Sequence, residues 1–350
     1  MKKILIGILI IAVIFVCGFS LFVNNDITIS KLKDKYFFKK SLSSNEIQKE
    51  EDVRVYETDA ESADDCASFE TFDEENSTCS FECTNKQECS NLQTQADEEF
   101  TDWSKELSQD KAPVEEKTIP ANDKSQKAGY KVSTGENITL VFGKDNQEYR
   151  KIWDDIKSIS PDYISDKYIE EFQIFDNGKD DTLAFVHDDD RNGKWTIGVN
   201  LTGRKSSSER EQKATIIHEL GHIISLNMSQ INPNISENTC KTYFINEGCA
   251  NANSYAYYFN NNFWKNTSQA QEYSENKFVT EYASSEPLED LAESFAFFVL
   301  GKGQSFLGDS VKDQKMKMFY NYPELVQVRE EMRKSLSTEI VRARKVSHTK

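Results

Sequence analysis

The sequence predicts an α+β fold in which a small antiparallel sheet precedes a motif-bearing helix and C-terminal helices, behind a membrane anchor and an acidic stalk. Three observations predict it. Short β-prone runs at 169–175, 182–187 and 195–201 are separated by Asn-Gly turns, and stretches of helical periodicity follow them. An uncharged run of twenty residues, Ile4 to Val23, stands at the N-terminus. Between these lies a polar segment that carries nearly all of the net charge of −17.

Residues 1–23 open with Lys2 and Lys3, and the apolar run that follows would be about 30 Å long as a helix, the thickness of a bilayer core. It reads as an uncleaved signal anchor, with a cleaved signal peptide as the alternative and Gly18-Phe19-Ser20 as its processing site. Either places the rest of the chain outside the cytoplasm, on a single-pass cell-membrane protein or as a secreted one. Residues 24–127 lack sustained periodicity, and such a composition buries too little apolar surface to offset chain entropy. They read as a solvated stalk. Residues 41–127 have a net charge of −16, against +5 for residues 1–40 and −6 for residues 128–350. Non-specific binding to nucleic acid needs a cationic face to displace phosphate counterions, and the acidic balance of this chain excludes it.

One of the seven cysteines, Cys17, lies in the apolar run, leaving an even six for an oxidising compartment. Cys66, Cys79, Cys83 and Cys89 predict two disulfides in one of three connectivities, forming a small knot in the stalk. A four-cysteine zinc site fits less well, because only the Cys79/Cys83 spacing suits it and the surrounding acids oppose thiolates. Cys240 and Cys249 are a separate local pair, expected to be bridged.

In residues 128–350, Tyr149, Ile152, Trp153 and Ile156 mark one face of an amphipathic helix. The β-prone runs follow, with turns at Asp176-Asn177-Gly178 and Arg191-Asn192-Gly193. Asp188, Asp190, Asn192 and Gly193 imitate the opening of a calcium loop, but its twelfth position is Val199, so a solvated turn is expected. Helices are expected over 207–228, 286–300 and 310–322, the first capped by Ser207 or Ser208. After Pro323 a last helix carries Leu325, Val328, Met332 and Leu336 on one stripe.

The chemistry is concentrated in His218-Glu219-Leu220-Gly221-His222. Residues i and i+4 of a helix share a face, so His218 and His222 can grip one metal ion. Glu219 then stands beside the ion's open position, where it can move a proton. A catalytic zinc needs a third protein ligand, and two carboxylates compete for that role. Glu289 opens Glu289-Asp290-Leu291-Ala292-Glu293, where Glu293, one turn later, can hydrogen-bond a ligand imidazole. Glu247, in Ile245-Asn246-Glu247-Gly248, has no acidic residue one turn later. This favours Glu289 and leaves Glu247 as the alternative. His187 and His348 have no motif around them and read as structural and tail residues.

H-E-L-G-H, followed by E-D-L-A-E with Tyr282 seven residues before Glu289, resembles the gluzincin branch of the zincin metallopeptidases, most of all the anthrax lethal factor and Pro-Pro endopeptidase type. The segment from Cys240 to Trp264 also resembles secreted bacterial zincin-like proteins. The resemblance implies a zincin-like metallopeptidase domain over 128–350, with a small antiparallel sheet, an active-site helix and C-terminal helices. It implies one Zn2+ per chain on His218, His222 and Glu289, with Glu293 behind a ligand imidazole. Glu219 would act as general base and Tyr282 would help stabilise the oxyanion during hydrolysis of a peptide or protein substrate. The stretch between His222 and Glu289 is longer than in lethal-factor-type enzymes, so their specificity does not carry over. The competing expectation is a non-catalytic cell-surface module that keeps zinc for binding; the intact Glu219 argues against it.

Overall fold

The computed structural model describes residues 55–108 and 125–348, except 60, 61, 64, 65, 68, 69, 77, 84, 134–136, 180, 181, 189, 266 and 268. The anchor expected at 1–23 and the stalk segments 24–54 and 109–124 lie outside the described residues. Two compact units are distinguished, Met1–Arg54 with Cys83–Lys86, and Val55–Glu82 with Gln87–Lys350. In the first unit only Cys83, which is disulfide-bonded, Asn85 and Lys86 are described.

The second unit opens with strands β1 (Val55–Asp59), β2 (Thr71–Asp73) and β3 (Thr78–Glu82), antiparallel in the order β1-β3-β2. A Cys66–Cys79 disulfide ties the loop before β2 to β3, and Cys89 is also disulfide-bonded. Helix α1 (Lys86–Leu107) follows. The described residues of 55–82 and 87–107 thus form strands and a helix where their composition suggested a solvated stalk. Leu92, Ala96, Phe100, Trp103 and Leu107 recur every three or four residues and are all buried. Three of the acids between them, which hid this stripe, are paired with distant cations. Asp97 lies 2.8 Å from Arg333, Glu99 2.9 Å from Arg344, and Glu106 2.9 Å from Arg210, which also bonds Glu99. Trp103→Ala is expected to cost about 3–5 kcal/mol in a denaturant titration, as for other buried tryptophans; a loss below about 1 kcal/mol would show that α1 is not part of this core.

The main sheet comprises β4 (Gln126–Ser133), β5 (Asn137–Gly143), β6 (Ile169–Phe175), β7 (Ala184–His187) and β8 (Trp195–Asn200), in the order β5-β4-β6-β8-β7. Helices α2 (Gln147–Ile159) and α3 (Asp162–Tyr168) stand between β5 and β6, and α4 (Leu201–Ser206) follows β8. The sheet is mixed. The antiparallel meander expected from three runs is corrected at β8, which lies between β6 and β7 and runs parallel to β6. Every residue of β8 is buried, which suits an interior strand. Buried Asn200 holds the β6–β7 connection in place through its amide, which donates to the carbonyls of Lys179 (2.9 Å) and Thr182 (2.7 Å). β4 and β5 were not among the runs expected from the sequence: Ala128, Tyr130 and Val132 of β4 are buried, whereas β5 is mostly exposed. In the turn between β7 and β8, the Asp188 carboxylate accepts the N–H groups of Asn192 (3.0 Å) and Gly193 (2.7 Å). Its oxygens serve the turn, and no described group of candidate metal ligands includes them.

Beyond the sheet come α5 (Glu209–Leu226) and a small sheet of β9 (Ile231–Asn232), β10 (Phe244–Ile245) and β11 (Gly248–Ala250), pinned by a Cys240–Cys249 disulfide. Helix α6 (Tyr255–Phe259) continues into a π-helical turn, Asn260–Trp264, and α7 (Pro287–Leu300), α8 (Val311–Phe319) and α9 (Pro323–His348) complete the unit. The C-terminal carbonyls of α7 would be orphaned but for two arginines of α9. Arg329 bonds the carbonyls of Phe298 and Gly301 at 2.7 and 2.6 Å, and Arg333 bonds that of Val299 at 2.9 Å. Among the described residues no helix is long and apolar enough to cross a membrane.

Candidate metal centre

Helix α5 starts at Ser208, whose hydroxyl and the side chain of Glu211 form a reciprocal capping box. From Ala214 to Leu226 nearly every residue is buried, including His218, Glu219 and His222. Polar side chains in so apolar a helix require partners, and α7 supplies them to the two histidines. Gly221 allows its approach: a Cβ there would stand 3.1 Å from Phe295 and 3.4 Å from the Ala292 backbone, so the two helices pack with little to spare. Pro287 suits the first turn of α7, which brings Glu289 and, one turn on, Glu293 to the histidines.

Glu289 Oε2 lies 3.1 Å from His218 Nε2 and 3.4 Å from His222 Nε2, and the two ring nitrogens are 3.0 Å apart. The ligand atoms of these three buried side chains all fall within 4.8 Å of one another. Despite these distances, Glu289 Oε2 is a buried acceptor with no well-directed hydrogen bond. An acceptor so placed, converging with two imidazole nitrogens, fits a cation among them, and two histidines with one carboxylate are a donor set suited to zinc.

Glu293 Oε1 is 2.7 Å from His218 Nδ1, which fixes the ring's orientation and leaves Nε2 toward Glu289. The other oxygen of Glu293 accepts the Thr280 hydroxyl at 2.6 Å, and Thr280 Oγ1 accepts the Ala283 N–H at 3.1 Å. Tyr282 occupies a 3₁₀ turn (Tyr282–Ser284), with its ring centroid 5.9 Å from that of His218. Glu247 lies in the turn between β10 and β11 and is outside the three-ligand group. Burial pushes its carboxyl up, with the charge of His222 acting in the opposite sense. His187 stacks on Phe185 at 5.3 Å, and His348 ends α9.

The electrostatics follow from these contacts. Burial would depress His218, but the carboxylates of Glu289 and Glu293 beside its two ring nitrogens prevail and hold it well above its ordinary value. His222 is raised in the same way, chiefly by Glu289. Burial opposes ionisation of Glu289, yet the two imidazoles keep it well below the usual carboxylate range. Glu219 is raised, first by burial, with the imidazoles pulling the other way.

Several supporting residues escaped the sequence. On the far side of α7, Asp290 Oδ2 receives Lys315 Nζ at 2.5 Å and the Trp264 indole N–H at 2.7 Å, all three side chains buried. Lys315 Nζ also donates to the Lys277 carbonyl at 2.6 Å and lies 4.0 Å from the Phe278 ring centroid. The segment carrying Thr280 and Tyr282 is thereby tied to the first turn of α7. Neither Thr280 nor Lys315 belongs to a local motif; Asp290, beside Glu289, and Trp264, at the end of the segment from Cys240, lay within segments singled out from the sequence.

Residues 207–315 match a protein-family model described as "Putative zinc-binding metallo-peptidase". That span holds both histidines, Glu219, Tyr282, Glu289 and Glu293. A crystal structure of a protein of the same description from Bacteroides caccae is 16% identical and is matched over 57% of this chain and 83% of that one. Its TM-score of 0.30 is too low for the two folds to be called alike. No curated protein matches the chain. Over residues 207–315, then, the chain is similar to zinc-binding metallopeptidases, and His218, His222 and Glu289 form a possible metal site there.

A pH dependence follows from the histidines. A group raised on folding contributes stability that is present below its unfolded pKa, near 6.5 for His, and lost as pH rises through the folded value. Metal-free protein should therefore melt at a lower temperature at pH 9 than at pH 6. Zinc must displace the protons, so its binding at pH 7 should release about one proton or more and tighten as pH rises. Calorimetry in buffers of different ionisation enthalpy reads this directly. Binding without proton release would contradict the protonated imidazoles.

Proposed function

We propose that the protein is a zinc-dependent endopeptidase acting outside the cytoplasm, held at the membrane by its N-terminal segment or released from it. The observation that carries the reading is the convergence of Glu289 Oε2 with the Nε2 atoms of His218 and His222, beside Glu219 on the same helix. The apolar N-terminal run and the disulfides support the location.

Zinc bound there supplies a Lewis acid that polarises the scissile carbonyl and brings the pKa of water near neutrality. Glu293 and Thr280 hold the His218 ring in place. Glu219, raised by burial, takes a proton from the attacking water and hands it to the leaving amine. Tyr282, packed near His218, donates its hydroxyl to the oxygen on which negative charge develops.

The test is cleavage of a denatured proteome by the zinc-loaded full chain, with new N-termini labelled and sequenced. The reading expects cleavages that vanish on chelation and return with zinc. No cleavage by fully loaded protein would favour the non-catalytic zinc-binding module. Within the same reading, Tyr282→Phe should lower kcat by about 10²–10³-fold with zinc content intact and KM little changed. Unchanged kcat, where chemistry limits turnover, would make Tyr282 a wall of the cleft.

A further inference from the structure

A cavity of about 860 Å³, the size of a ligand pocket, is lined by three lysines, Lys265, Lys277 and Lys317. No acidic side chain lines it, in a chain whose net charge is −17. Lys265 and Lys277 make no ion pair among the described residues. Lys317 lies 3.4 Å from Asp309, a fully exposed partner of the kind that contributes little. Five Asn and Gln side chains share the lining, together with the aromatic rings of Tyr258, Phe263 and Trp264.

Two lining residues stand one hydrogen bond from the elements that carry Glu289 and Tyr282, and a third stands two contacts away. The Trp264 indole donates to Asp290, the neighbour of Glu289, and the Gln271 N–H donates to the Ser284 carbonyl in the turn of Tyr282 at 2.9 Å. The Lys277 carbonyl is held by Lys315, the ion-pair partner of Asp290. The cavity is thus built against the elements that carry Glu289 and Tyr282.

We propose that this cavity binds an acidic stretch of the peptide substrate, beyond the bond that is cleaved. The proposal rests on the peptidase reading and gives it a substrate class. Lysines attract Asp and Glu carboxylates, amides pair with main-chain N–H and C=O groups as both donors and acceptors, and the rings take an apolar side chain. Amides with both donor and acceptor capacity favour a peptide over a phosphate, which mainly offers acceptors.

The test uses the zinc-loaded full chain carrying Glu219→Gln, so that bound peptide stays intact. Fluorescence polarisation compares a Glu-rich peptide with the same peptide bearing Gln at those positions. The Glu peptide is expected to bind about tenfold tighter or more, with an advantage that shrinks as salt rises. Lys265→Gln, Lys277→Gln and Lys317→Gln together should abolish the advantage, and Arg at the same three positions should keep it. The same charge change placed elsewhere, at Lys131, Lys151 and Lys205, should also keep it. Equal binding of the two peptides, or an advantage that survives the cavity Gln substitutions, overturns the proposal. Tighter binding of a uronic-acid polysaccharide than of either peptide also overturns it. Because nothing is cleaved, a proteome left uncut would sink the peptidase reading separately.

Discussion

Glu219→Gln should reduce kcat by about 10³-fold or more while leaving one zinc per chain. Proton transfer by a positioned side chain contributes about 10²–10⁴-fold, and this carboxylate serves both water activation and leaving-group protonation. Gln has the same shape but cannot accept the proton. Glu219 is buried and its ionisation is opposed there, so a neutral amide should leave the fold as stable or more so. The measurement is kcat on a cleaved peptide, with zinc content and melting temperature from the same preparation. A kcat within tenfold of wild type would remove Glu219 from the chemistry; loss of zinc would instead make it part of the metal's cage.

Glu289→Ala should abolish stoichiometric zinc. Groups that merely orient a ligand cost about 10–100-fold in metal affinity when removed, so losing one of three direct ligands should cost more. The substitution also takes from His218 and His222 the carboxylate that raises both, so their pKa values should fall in the metal-free protein. Competition with a fluorescent zinc chelator reads the affinity, and histidine proton resonances read the titration. Glu247→Ala is the matched control and should retain zinc. Retention by Glu289→Ala with loss by Glu247→Ala would transfer the ligand role to the turn beside the Cys240–Cys249 disulfide.

What the sequence disclosed and what it hid follow from the range of the interactions. His218, Glu219 and His222 were legible because one turn of helix brings them together. Glu289 and Glu293 were legible because the same i, i+4 spacing recurs 71 residues after His218. The pairing of these two turns depends on Gly221 facing Ala292 and Phe295, which no local pattern reports. Lys315 and Thr280 act through partners 25 and 13 residues away and read as ordinary surface residues. Helix α1 was hidden for an electrostatic reason: its acids read as solvation for a stalk, whereas Arg210, Arg333 and Arg344 complete them from elsewhere in the chain. The interior position of β8 came from pairing, since an alternating or fully apolar run does not say which strand lies beside it.

X-ray absorption at the zinc edge on the zinc-loaded full chain tests the central claim most directly. One zinc per chain should show nitrogen and oxygen neighbours at about 2.0–2.2 Å, with the scattering signature of two imidazoles and no sulfur. A sulfur shell near 2.3 Å, or a spectrum with fewer than two imidazoles, would place the metal away from His218, His222 and Glu289 and contradict the account.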